Sequence, residues 1–197
     1  MQATTNHNLT VNSLFCEDKN INIFLQIFSN NDNIITIEVF FMNKFMFEAN
    51  EMAKKNIRLN HGGPFGAIIV KDNEIIANGY NTVLLDNDPT AHAEVQAIRN
   101  ACKKIGTHDL SEYTLYTSCF PCPMCLSAII WANMKNVFYG NTKEDAAAIG
   151  FRDDFIYEYI NNLMLEKNSD TLKIEQLDRN LTIEAFNMYN KLGGILY

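Results

Sequence analysis

A chain of 197 residues that is 47% hydrophobic is long enough to bury one full core, and its formal net charge of −7 opposes tracking along a polyanionic phosphate backbone, which argues against a nucleic-acid partner. The five cysteines are odd in number, two of them stand at metal-ligand spacing and no basic, apolar secretory leader is evident, so a reducing, cytoplasmic setting is expected. No run approaches the roughly 18 consecutive apolar residues that a membrane span needs, and none is expected.

Residues 1–41 are rich in Asn and Thr and carry two apolar patches, Ile21–Phe28 and Ile34–Phe41, with no catalytic residue type in a recognisable setting. They read either as an extension upstream of a start at Met42 or as a pair of edge strands. The domain that carries the chemistry is expected over 42–197. From Asn43 to Leu59 the spacing of Phe45, Ala49, Met52 and Ala53 predicts an amphipathic helix, stopped by His61-Gly62-Gly63-Pro64. Two strands follow, Phe65–Val70 and Glu74–Tyr80, joined by a compact hairpin turn at Lys71-Asp72-Asn73.

The next helix begins around His92 and ends at Gly106. Ala91, Val95, Ile98, Cys102 and Ile105 form its expected buried stripe, and Gln96, Arg99, Asn100, Lys103 and Lys104 its wet face. Tyr113–Thr117 reads as a third strand, Cys122–Trp131 as a short, nearly all-apolar buried helix and Asn136–Gly140 as a fourth strand, which makes a β-α-β crossover with parallel pairing. A helix over Asp153–Leu163, a fifth strand over Leu172–Leu177 and a last helix over Leu181–Leu192 complete the pattern, with no internal repeat or second domain.

The chemistry-bearing residues fall in two segments of this pattern, His92-Ala93-Glu94 and Pro121-Cys122-Pro123-Met124-Cys125. His92, Cys122 and Cys125 are three zinc-type ligands, one short of a closed structural site, which leaves a tetrahedral position for water with Glu94 beside it. Residues two apart on a helix point about 200° from each other, so His92 and Glu94 share a metal only if it lies off the helix's N-terminal end. Cys122-Pro123 also reads as a helix start, where the dipole favours thiolate. The alternative is a closed structural zinc or an iron–sulfur module built on Cys119, Cys122 and Cys125, with His61, Cys102 or His108 completing it; no fourth Cys follows at ferredoxin spacing.

Residues 62–150 resemble the zinc-dependent nucleobase deaminases of the cytidine deaminase-like superfamily, and among them the bacterial guanine deaminase branch. The resemblance is carried by Gly62-Gly63-Pro64-Phe65-Gly66-Ala67, by Asn87 through Glu94, by Pro121 through Leu126 and by Trp131-Ala132. It extends to Gly150-Phe151, Asp153, Phe155-Ile156-Tyr157 and the terminal Tyr197. It implies an α/β fold, a three-layer α/β/α arrangement around a central five-stranded mixed sheet. It also implies hydrolytic conversion of guanine to xanthine and ammonia. His92, Cys122 and Cys125 would then hold Zn²⁺, with Glu94 moving the protons.

Asn81 resembles the residue that hydrogen-bonds the base, Phe65 and Trp131 resemble pocket walls, and Asp153 resembles the acid that recognises guanine's edge. Tyr197 resembles a residue delivered by the partner of a homodimer whose C-terminal segment is exchanged. Three positions depart from the branch. Phe120 stands where Glu is usual, Asn133 where Arg is common and Arg152 where a second acid often occurs. A tRNA adenosine deaminase, which shares both motifs, is the alternative, followed by a cytosine or other aminoazine deaminase.

Overall fold

The computed structural model describes residues 7–16, 21–29, 35–165 and 179. The predicted strand Leu172–Leu177, the helix Leu181–Leu192 and Tyr197 lie outside the described residues.

The first three elements are strands, β1 (His7–Cys16), β2 (Ile21–Ser29) and β3 (Ile35–Asn43), paired antiparallel in the order β1-β2-β3. The two apolar patches of the sequence are β2 and β3. Both are strands, and with β1 they build a sheet of their own. The alternation of β1 is hidden because a register shift between Val11 and Ser13 moves its apolar residues from one parity to the other.

At Asn43 the chain turns into α1 (Lys44–Leu59); the Asn43 side chain accepts from the backbone N–H groups of Phe45 and Met46, at 2.9 and 3.2 Å. Asn60, in the left-handed region at φ 54°, ends the helix. Next come β4 (Gly66–Lys71) and β5 (Glu74–Tyr80), joined through Asp72 and Asn73 at φ 49° and 65°, the two positive values of a tight hairpin turn. A short α2 (Val83–Asp86) leads to α3 (Ala93–Ile105), then β6 (Thr114–Cys119), α4 (Pro123–Trp131), β7 (Asn136–Asn141) and α5 (Lys143–Ala148). The Thr142/Asp145 capping box that starts α5 is written in the sequence as T-x-x-D, a signal the pattern reading passed over.

The central sheet runs β5-β4-β6-β7, antiparallel at its first two pairings and parallel at β6–β7, so it is mixed as expected. It has four strands among the described residues; the expected fifth is the segment at Leu172–Leu177. Alternation along β4 sorts the layers. Ile68 and Val70 pack with Phe45 and Ala49 of α1, whereas Ala67 and Ile69 pack with α3 and Ile129 of α4. The fold is therefore three-layered α/β/α. No helix among the described residues is long and apolar enough to cross a membrane. The helix α6 (Asp154–Met164) belongs to a second compact unit that begins at Asp154.

Two glycines let the helices approach the sheet. A Cβ on Gly66 would lie 2.3 Å from the Ala49 carbonyl oxygen of α1, and one on Gly79 would lie 2.4 Å from the Ala93 oxygen of α3. This closeness corrects the expected stripe of α3. Ala91 and Val95 are buried as expected, but the fully buried line along the helix is Ala93, Ala97 and Ala101, with Ile98, Cys102 and Ile105 only partly buried beside it. Small residues sit where helix and sheet backbones nearly touch, and larger ones are displaced to the flanks. The expectation for α4 is also corrected. Pro123, Cys125 and Ile129 are buried, but Ile130 and Trp131 are 71% and 68% exposed, because only one face of this apolar helix packs inward.

Candidate active site

Two helix N-termini converge on one point. His92 is the N-cap of α3 and Cys122 the N-cap of α4, with Pro123 in the first turn, where a missing N–H costs nothing. Cys125, in the same turn, is fully buried. His92 Nδ1 lies 3.5 Å from Cys122 Sγ and 3.6 Å from Cys125 Sγ, and all three candidate ligand atoms lie within 4.8 Å of one another. A tetrahedral zinc, with bonds of about 2.3 Å to sulfur and 2.0–2.1 Å to nitrogen, sets its N and S ligands about 3.5–3.6 Å apart. Donor types and spacing both fit zinc.

The closed-site alternative is not assembled. Among the described residues the cluster holds His92, Cys122 and Cys125, and neither His61, Cys102, His108 nor Cys119 joins it. Cys119 instead donates to the Thr142 carbonyl at 3.4 Å, and burial pushes its thiol up to about 11. The hydrogen bond from Cys125 holds Cys122 well below the ordinary thiol range, with His92 adding to the effect; Cys125, donating and buried, is raised. His92 is raised chiefly by its bond to Cys122, with smaller contributions from the charges of Glu94 and Asp153.

Glu94 is 6% exposed, and burial pushes its carboxyl above the ordinary range. Its Oε2 accepts from Cys125 Sγ at 3.5 Å and its Oε1 from the Thr117 hydroxyl at 3.1 Å. A buried carboxyl hydrogen-bonded beside three candidate metal ligands is placed to move protons.

Asn81, at the end of β5, is buried. Its Oδ1 accepts from the N–H groups of Gly63 and Val83, at 3.3 and 3.2 Å, and no described residue accepts from its Nδ2. Asn56 fastens this corner by donating to the carbonyls of Gly63 and Asn81, at 2.6 and 2.8 Å. Asn56 was missed in the sequence, although a polar residue on the buried line Phe45, Ala49, Ala53 is itself a signal that its bonds are needed. Phe65 meets Phe151 edge-on, ring centroids 5.0 Å apart, which brings the segment before Asp153 to the same side. Thr117 was missed as well.

Within the described residues of one chain, Trp131 stands apart from the cluster. Six residues beyond Cys125, it lies about 9 Å further along α4 and is rotated some 240° from it, on the outward face with Ile130 rather than at the cluster. The three departures differ in their settings. Phe120 packs edge-on against Tyr139 at 5.0 Å, Asn133 takes the left-handed turn after α4 at φ 60°, and Arg152 is exposed.

Residues 41–141 match the family model described as the cytidine and deoxycytidylate deaminase zinc-binding region. The guanine deaminase of Bacillus subtilis is 56% identical over 116 residues, 59% of this chain and 74% of that protein. The tRNA-specific adenosine deaminase of Haemophilus influenzae is 39% identical over 136 residues, 68% of this chain and 78% of that one. In three dimensions the X-ray structure of the B. subtilis guanine deaminase superposes with a TM-score of 0.69 at 46% identity, covering 75% of this chain and 92% of its own. The guanine deaminase of Nitrosomonas europaea superposes at 0.53 with 34% identity, over 56% and 64% of the two chains.

Proposed function

The chain belongs to the cytidine and deoxycytidylate deaminase family, zinc-dependent hydrolases, and from that premise we propose that it hydrolyses guanine to xanthine and ammonia. The observation that carries the chemistry is the buried Glu94 with Oε2 3.5 Å from Cys125, one of three residues spaced for an open zinc. Similarity to guanine deaminases at higher identity than to tRNA adenosine deaminases supports guanine over adenosine in RNA, and the acidic balance of the chain points the same way.

His92 Nδ1 and the Cys122 and Cys125 sulfurs would hold the zinc, the cysteines as thiolates. When bound, the ion supplies a Lewis acid that eases deprotonation of the attacking water. Glu94 accepts that proton and passes it to the ring nitrogen, then takes the proton of the hydroxyl now bonded to the carbon and passes it to the leaving amine. The carbon–oxygen bond forms, the carbon–nitrogen bond breaks and ammonia departs.

Asn81 Nδ2 offers its donors to an acceptor on the base. Phe65, backed by Phe151, covers one ring face, and Asp153 accepts from the N–H edge that guanine presents and adenine lacks. The working unit in this reading is a cytoplasmic homodimer. The outward Ile130 and Trp131 support it, as does an apolar Ile195-Leu196-Tyr197 end after Gly193-Gly194, from which Tyr197 would reach a neighbouring pocket. Ammonia release measured across guanine, adenine, cytosine, their nucleosides and a tRNA anticodon stem tests the substrate. Release from guanine alone is expected, and faster release from the tRNA stem would replace this reading.

A further inference from the structure

The strand β6 alternates across the sheet, and its residues on the α3 side are Leu115 and Thr117, paired with Ile69 and Ala67 of β4. Ala67, Ile69 and Leu115 are fully buried and apolar, so the Thr117 hydroxyl, in a side chain 1% exposed, is the polar exception on that face. A buried hydroxyl needs a partner, and this one's partner is Glu94 Oε1 at 3.1 Å. The other oxygen, Oε2, points to Cys125. The Thr117 bond, unlike that contact, involves no candidate metal ligand.

From this arrangement we propose that Thr117 is a positioning residue, whose hydroxyl ties Oε1 of Glu94 to the sheet and so presents Oε2 to the water and substrate. The inference rests on the proton-shuttle reading of Glu94. Glu94 lies in the first turn of α3, and a glutamate side chain has several rotamers open to it. Unpinned, its carboxylate would spend part of its time rotated out of line, which slows proton transfer without weakening the hold on the base.

The test is Thr117→Val, close to Thr in shape with a methyl group in place of the hydroxyl, assayed by ammonia release from guanine beside Thr117→Ser and Glu94→Gln. One hydrogen bond of this kind corresponds to about a ten-fold effect on rate. The expectation is a kcat about ten-fold lower in Thr117→Val, with KM within about two-fold and zinc at wild-type content, and recovery of most of kcat in Thr117→Ser. Unchanged kcat, a rise in KM that matches the fall in rate, loss of zinc, or a serine variant as slow as the valine one overturns the proposal.

If Thr117→Val does not fold, Thr117→Ser against Thr117→Ala isolates the hydroxyl, since both lack the methyl group; equal rates overturn the proposal and a faster serine variant supports it. A collapsed Glu94→Gln beside an unimpaired Thr117→Val removes this inference and leaves Glu94 in place. A fully active Glu94→Gln removes both.

Discussion

Gly79→Ala puts a methyl group where α3 lies against the sheet. Its Cβ would meet the Ala93 oxygen and the Ala97 nitrogen at 2.4 Å and the Gln96 carbonyl carbon at 3.0 Å, all backbone atoms of α3 that no rotamer change can move aside. Ordinary contacts to carbon lie near 3.5 Å, so helix and strand must separate by about 1 Å. Overpacking of this kind costs roughly 1–3 kcal/mol, and the upper figure lowers the melting temperature of a chain this size by about 6–12 °C.

The helix that moves begins at His92 and Glu94, and an error of about 1 Å at a reacting group can cost about a hundred-fold in rate. Thermal melting, zinc content and kcat on guanine should therefore all fall. Gly106→Ala is the control. It places a Cβ in open space at the far end of the same helix, where the left-handed φ of 76° alone costs about 1–2 kcal/mol, so stability should drop and kcat should hold. A Gly79→Ala protein that melts with wild type, or whose kcat falls no further than that of Gly106→Ala, would refute the coupling of this contact to the site.

Cys122→Ser or a strong chelator should remove zinc and abolish turnover, and added zinc should restore only the chelated wild type, as metal analysis and rate together will show. Residues 42–197 expressed alone should keep wild-type kcat, since no site residue precedes Met42; an insoluble or inactive product would make the β1–β3 sheet part of the working fold. Deleting Ile195–Tyr197 should lower deamination several-fold with little change in melting temperature. Mixing that chain with Glu94→Gln chains should recover activity, because one pocket of each mixed dimer would be intact; no recovery after verified subunit exchange would place Tyr197 in its own subunit's pocket or outside any pocket.

The sequence by itself determined whatever depends on neighbours along the chain. The donors His92, Cys122 and Cys125, the hairpin at Asp72-Asn73, the α1 and α3 spans and the parallel β6–β7 crossover are all local patterns of residue type, period and turn chemistry. Tertiary structure decided what depends on distance between elements. Ala93, Ala97 and Ala101 became the contact line of α3 because Gly79 brings β5 against its backbone, which hydrophobicity alone cannot indicate. Trp131, at the end of an almost wholly apolar helix, is exposed in the single chain because α4 packs by one face. Thr117 looks like one strand residue among several until the sheet sets its hydroxyl 3.1 Å from Glu94. A ligand's identity is a property of one side chain; its geometry belongs to the packed layers that hold it.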